Sequence, residues 1–148
     1  MLIGAARRSI KMAVQRRARS MRLTAQQFWF LNAARELPGA SLGEIARRQR
    51  MDPPTASRIA GGLARRGLLR ADADLRDRRA VRVLLTPAGA RLAERIQPIA
   101  ASLRGAIVRG MSRREQAALC AALRRVVVNV DNFGEQVERA QDARAGGL

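Results

Sequence analysis

Two short clusters hold the side chains best suited to recognition chemistry in this 148-residue chain: Pro54-Thr55-Ala56-Ser57-Arg58 and Asp74-Leu75-Arg76-Asp77-Arg78-Arg79. In the first, Thr55 and Ser57 offer hydroxyls that bond base edges or phosphates, and Arg58 offers a planar fork that bonds guanine at two points. Their neighbours are short, so the start of a helix built from them, Pro54 included, can enter a major groove closely. A helix N-terminus also favours phosphate through its free amides. In the second cluster two acids stand among three arginines. Asp77 is placed to orient Arg79 toward a narrow A·T minor groove, while Arg76 and Arg78 meet phosphates. Ser41 and the amides beside it form a third candidate phosphate contact, although Ser41 also has the sequence of a simple helix cap. Each cluster has a blander reading as well. Thr55 and Ser57 can serve only as caps, and a charged turn is usually just solvated. What favours recognition is that the clusters fall within a single module.

The overall charge points the same way. Lysine plus arginine minus acid is 29 − 12, a net +17, which calls for a polyanionic partner: nucleic acid first, an anionic membrane second. Nearly all of the positive charge is arginine, Lys11 being the single lysine. Residues 1–23 carry Arg7, Arg8, Lys11, Arg16, Arg17, Arg19 and Arg22 without an acid, whereas the balance reverses from Asp131 onward. Histidine and tyrosine are absent, and Cys120 is the only cysteine. No internal disulfide, cysteine-based metal cluster, nucleophile–base pair or paired-carboxylate cleft can be assembled from such a set, so an enzyme, a metal site and a cofactor are not expected. No apolar stretch approaches the roughly 20 residues that span a bilayer. The expected location is the cytoplasm, on the nucleoid. Met1–Arg22 is also arginine-rich and acid-poor like a transit peptide, but it carries the apolar stripe that a folded helix uses.

These clusters need elements to hold them. Ile3, Ala6, Ile10, Ala13, Val14 and Met21 recur at helical spacing, and Thr24-x-x-Gln27 is a capping box for a second helix that turns Phe28, Leu31, Ala34 and Leu37 inward before Pro38-Gly39. Ser41-x-x-Glu44 starts a third helix running to about Met51. Asp52 with Pro53 starts a fourth, which Gly67 closes. The period then changes: Leu68–Arg70 reads as a short strand and Ala80–Leu85 as its return. Thr86-Pro87 opens a long helix with Pro98 inside it, where a bend is expected, and Ser112-x-x-Glu115 caps the last. Leu119, Leu123, Val126, Val127, Val130, Phe133 and Val137 form its apolar side, with Cys120 expected among them as a buried packing residue. The first and last helices are too apolar for solvent, so a second copy of the chain is their natural partner.

The pattern Leu23-Thr24-x-x-Gln27-Phe28, Glu44-Ile45-Ala46, Asp52-x-Pro54-Thr55-x-Ser57-Arg58, Arg66-Gly67-Leu68-Leu69, Asp77-Arg78-Arg79-Ala80 and Leu85-Thr86-x-x-Gly89 resembles the MarR (multiple antibiotic resistance regulator) family. The match is detailed over about residues 20–95 and extends to the rest in layout. It implies a mainly α fold with a small two- to three-stranded β-hairpin: a winged helix-turn-helix over 23–87, with 1–22 and 88–148 forming a helical dimerisation region. It also implies a homodimeric bacterial regulator of transcription, a repressor or an activator, on inverted-repeat promoter DNA, released by a small aromatic or anionic effector or by oxidation. By position, Arg79 matches the family's minor-groove arginine, and Pro54, Thr55, Ser57 and Arg58 its major-groove residues. The rival from another class is a nonspecific architectural DNA-binding protein, which shares the charge but needs no paired half-sites.

Sensing is the least legible part. The oxidation-sensing branch of the family uses a cysteine in the first helix supported by tyrosines, and this chain has neither. For a ligand, Arg17 falls in the apolar phase of the first helix and Trp29 stands beside Phe28, so the two are the candidate effector contacts. The blander reading, and the favoured one, is that Arg17 snorkels or pairs with an acid of a partner chain.

Overall fold

The computed structural model describes residues 1–73 and 81–145, without the side chains of Ala73, Glu135 and residues 137–145. The elements run α1 (Leu2–Arg19), α2 (Ala25–Glu36), α3 (Leu42–Gln49), α4 (Pro53–Arg65), β1 (Leu69–Ala73), β2 (Val81–Leu85), α5 (Pro87–Ile107) and α6 (Arg113–Ala145). The fold is thus mainly helical with one small antiparallel sheet, as the sequence pattern implied. The chain forms two compact units, Met1–Leu103 and Arg104–Leu148.

Within the first unit the helix starts are where side-chain chemistry puts them. Thr24 and Ser41 each close a capping box with Gln27 and Glu44, and the Asp52 carboxylate accepts from the Thr55 amide at 2.8 Å. The stops are left-handed residues: Arg22 (φ 55°), Arg50 (φ 49°) and Gly67 (φ 66°). Arg50 forms the turn between α3 and α4, its amide and that of Met51 reaching back to α3 carbonyls. One core joins the elements. Phe28, Phe30 and Leu31 of α2, Ile45 of α3, Leu63 of α4 and Ile96 of α5 are its largest fully buried side chains. The far half of α1 belongs to the same core through Val14 and Ala18, with Met21 in the turn after it, so part of that helix's apolar stripe is covered within its own chain.

The sheet pairs Leu69 with Leu85 and Ala73 with Val81. β1 therefore begins one residue later and ends three residues later than the pattern Leu68–Arg70 indicated, because pairing to β2 carries Ala71-Asp72-Ala73, a segment of little strand preference, into the ladder. On its other edge β2 meets the chain just before α3: Ser41 bridges Arg82, and the Val83 amide donates to the Ala40 carbonyl at 3.0 Å. That contact is a single isolated bridge, so the sheet itself has two strands, the lower end of the two to three the resemblance implied. α5 continues through Pro98. Thr86 caps its start and ties it to the sheet: its amide donates to Leu68 (3.2 Å), its hydroxyl donates to Gly67 (2.6 Å), and its oxygen accepts from the Gly89 amide (3.0 Å).

In the second unit no apolar side chain of α6 is buried among the described residues; Phe133 is 67% exposed and Leu123 44%. Cys120 is exposed too, which corrects the expectation of a buried packing residue. The stripe it lies in has no cover within its unit.

Gly89 sits hard against the backbone of Leu68: a Cβ there would overlap the Leu68 carbonyl oxygen and lie 2.9 Å from its carbon. Backbone cannot rotate away as a side chain can. Gly89→Ala is therefore expected to destabilise by about 3 kcal/mol, a fall in Tm of roughly 6–12 °C. Gly105→Ala on the same helix, where a Cβ meets nothing within 4 Å, should hold or raise Tm, since alanine is the better helix former. Parallel thermal melts of the two variants check this.

Candidate nucleic-acid interface

α4 is amphipathic in a way that decides its use. Ala56, Ile59 and Leu63 are buried, and this single strip fastens the helix to the core. Pro54, Ser57 and Arg58 are exposed and Thr55 is half-exposed, so the first turn presents all four sequence-derived major-groove candidates on or near the surface. The structure brings them together. Asp52 holds the Thr55 amide, and the Thr55 hydroxyl accepts from an Arg58 guanidinium nitrogen at 3.1 Å. Arg58 is thereby folded back along the first turn instead of trailing into solvent, and its charge lies by the helix N-terminus. A guanidinium bonded by one nitrogen keeps its remaining N–H donors for a base edge or phosphate.

Ser41 is placed differently. Its hydroxyl donates to Glu44 at 2.9 Å and accepts from the Glu44 amide at 3.2 Å, and its own amide donates to the same carboxylate at 2.7 Å. The capping half of the expectation is met. A phosphate there would have to displace Glu44, a neighbouring negative charge. Arg17 is exposed on α1, whereas Trp29 is half-buried with its ring edge-on to Phe28 at 5.2 Å and 86°. No hydrogen bond or ring contact joins Arg17 to Trp29 among the described residues. Arg76, Arg78 and Arg79, with Asp77, lie outside the described residues. No grouping of histidine, cysteine and acids able to hold a metal exists among the described residues, and none of their helices is long and apolar enough to cross a membrane.

Two contributors were missed by sequence reasoning. Arg66, beyond the last turn of α4, donates to the carbonyls of Arg22 (2.8 Å) and Met21 (3.4 Å), pinning the far end of α4 to the turn after α1. Arg82 on β2 donates to Gly39 at 3.4 Å and adds its charge near Glu44. Arg66 stood in the family pattern without a role, and the only signal of Arg82 was being an arginine within a strand.

The carboxylates at these helix starts are held in the charged form. Hydrogen bonds from Thr55, with Arg58 adding charge, keep Asp52 below its ordinary 3.8. Hydrogen bonds from Ser41, then the charges of Arg47 and Arg82, keep Glu44 below its ordinary 4.5. They act as caps, and none is raised toward neutrality as a general acid would be.

The model of the MarR family matches residues 23–80. Among solved structures, the transcriptional regulator PA3341 is 32% identical, with 88% of this chain and 96% of that one covered and a TM-score of 0.75. BpsR of Bordetella bronchiseptica, whose structure concerns regulation of DNA binding by 6-hydroxynicotinic acid, is 30% identical over 85% of this chain and 90% of its own, with a TM-score of 0.74. MepR of S. aureus, solved as a DNA complex, is 22% identical and shares the fold at a TM-score of 0.78 over 87% and 95%. No curated protein matches the sequence. The chain belongs to the MarR family of winged-helix regulators. It is a DNA-binding transcriptional regulator and not an enzyme.

Because the folded pKa of Asp52 is depressed, its stabilisation is fully present above the unfolded value and is lost as pH falls through the folded one. Asp52→Ala should therefore lower Tm at pH 7, with the gap to the wild type narrowing as pH falls below the ordinary 3.8 of the carboxyl. Asp52→Asn, which can still cap, should hold most of the pH 7 stability. Melting curves of the three proteins between pH 2 and pH 7 test this.

Proposed function

We propose that two copies of this chain join through α1 and α6 and present a matched pair of α4 helices to an inverted-repeat promoter site. The observation that carries this reading is the first turn of α4: one face fixed in the core, the other exposing Pro54, Thr55, Ser57 and Arg58 with the arginine held at the helix start. Each α4 enters a major groove, and two-fold symmetry sets the half-sites about one turn apart, roughly 34 Å. Arg79 enters the flanking minor groove while Arg76 and Arg78 grip phosphates. In this reading residues 23–87 form the DNA-binding domain, and 1–22 with 88–148 the dimerisation region. The exposed Leu2, Ile3 and Met12 of α1 and Val130 and Phe133 of α6 support a self-association surface, since side chains of this size rarely stand in water in such numbers.

The protein acts as a repressor in the cytoplasm, on the nucleoid, and leaves its operator when a small aromatic or anionic effector binds near Arg17 and Trp29. BpsR, regulated by 6-hydroxynicotinic acid, supports effector control, and MepR with its DNA supports the docking. An effector of this kind works only through a difference in its affinity for the two arrangements of the reading helices.

Selection from a random duplex library tests the reading: an enriched inverted repeat is expected, whereas a nonspecific architectural binder enriches none. On the selected duplex, Arg58→Ala and Arg79→Ala should each weaken binding by about 1–3 kcal/mol, roughly 5- to 150-fold in Kd, while sedimentation still reports a dimer. Unchanged affinity for both variants would refute the site. Affinity should also fall steeply with salt, as arginine–phosphate contacts require.

A further inference from the structure

The solvent ridge of α4 continues past its first turn, within the unit Met1–Leu103. At helical spacing it runs Pro54, Arg58, Gly61, Arg65, opposite the buried Ala56, Ile59 and Leu63. Arg65 is exposed and makes no hydrogen bond or ion pair among the described residues. Its fork nevertheless has a definite place. Nη1 lies 3.7 Å from where a Cβ of Gly61 would stand and Nη2 3.9 Å from that of Gly62, so the guanidinium is folded back over two adjacent glycines. We propose that Arg65 clamps a DNA phosphate at the edge of the major groove, and that Gly61 leaves the clearance through which that strand approaches the helix. This contact presupposes that α4 is the reading helix, and it extends the site beyond the first turn.

Distance selects phosphate over base. Arg58 and Arg65 stand seven residues apart, roughly 10.5 Å along the helix. Both guanidinium groups turn back toward the helix start, Arg58 to Thr55 and Arg65 over Gly61. A major groove is about 12 Å wide. A helix that enters it first turn foremost therefore brings a residue that far back to the groove's edge, where phosphates lie and base edges do not. With no acid holding it, Arg65 keeps all of its N–H donors for such an oxygen.

The glycines answer no need of the fold itself. Neither Gly61 nor Gly62 has left-handed backbone. A Cβ at either would make only ordinary contacts, the nearest being 3.6 Å from Nε2 of Gln27 at Gly62. Alanine would fit both positions and is the better helix former, so the pair weakens the helix that carries it. What a missing side chain does offer, on an exposed ridge between two arginines, is room for another molecule's backbone to come close. A cation in the last turn also suits the helix dipole. That role needs no gap on the ridge, and Arg66 already lies at this end, bonded to the carbonyls of Arg22 and Met21.

The test uses the full chain, the duplex selected from the random library, and a set of duplexes each carrying one base-pair change per half-site. Affinities are read by fluorescence anisotropy over a salt series, with thermal melts alongside. Arg65→Ala should weaken every duplex by the same factor, about 5- to 20-fold at low salt, and flatten log K against log salt by about 0.9 per half-site. Tm should not change. Arg65→Lys, which keeps the charge, should recover most of the affinity and the slope. Gly61→Leu should weaken binding by about tenfold or more while holding or raising Tm. A role confined to the helix dipole gives the reverse, a lower Tm for Arg65→Ala with unchanged affinity and slope, and overturns the contact. So does a base-change penalty that vanishes at one position in Arg65→Ala, which marks a base contact, or Gly61→Leu binding as tightly as the wild type. Arg58→Ala separates the two failures. If it weakens binding while Arg65→Ala and Gly61→Leu do not, this contact alone is wrong. If it too is silent, or no repeat is enriched, the reading of α4 falls and this contact with it.

Discussion

A single backbone carbonyl, that of Leu68, organises the junction of α4, β1 and α5. It accepts from the Thr86 amide, and Gly89 lies so close that no side chain fits between them. One residue earlier, Gly67 turns through φ 66° and its carbonyl takes the Thr86 hydroxyl. The end of α4, the start of β1 and the start of α5 therefore meet at one backbone junction. The spacing between α4 and the two strands is set by main-chain atoms, which have no rotamers to change. Arg66 fastens the same end of α4 to the turn after α1. A helix fixed at its far end by such contacts, and along its length by Ala56, Ile59 and Leu63, holds its exposed first turn in one orientation.

The acids are as informative as the arginines. With a net charge of +17, a chain of this size gains cohesion from each carboxylate it places well. Glu44, Asp52 and Glu115 all sit at helix starts, where orphan amides and the helix dipole welcome a negative charge, and all three titrate below their ordinary values. That use keeps negative charge on short, local contacts. Arg58 is the instructive exception, because its charge is bonded to a neutral hydroxyl and so remains available to a phosphate or base.

What could be foreseen was governed by local chemistry. The α4 boundaries were legible because Asp52, Pro53 and Gly67 each act on their own neighbours, and the capping boxes of α2, α3 and α6 for the same reason. The limits of β1 were not, since Ala71-Asp72-Ala73 has little strand preference and enters the sheet only through Val81, Arg82 and Val83 opposite. The motif Leu85-Thr86-x-x-Gly89 was visible as a pattern, but its reason, the approach of Leu68, is a contact across the fold. Phe30 shows the limit of periodicity: adjacent to Phe28 and Trp29, it is fully buried because α2 is enclosed on several sides. Cys120 fails the other way, since an apolar stripe announces a partner surface without saying which chain supplies it. Among the DNA-reading candidates, Thr55 and Arg58 proved to be bonded to each other, a pairing their spacing allowed but did not require.

The central claim is that the exposed first turn of α4 reads bases in the major groove of two symmetric half-sites. Methylation of guanine N7, an acceptor displayed only in that groove, tests it most directly. On a selected duplex, interference is expected at guanines in two patches about one helical turn apart, and Arg58→Ala should abolish it at one guanine of each patch. Tight binding that no guanine methylation disturbs, or interference spread without a two-fold pattern, would contradict it.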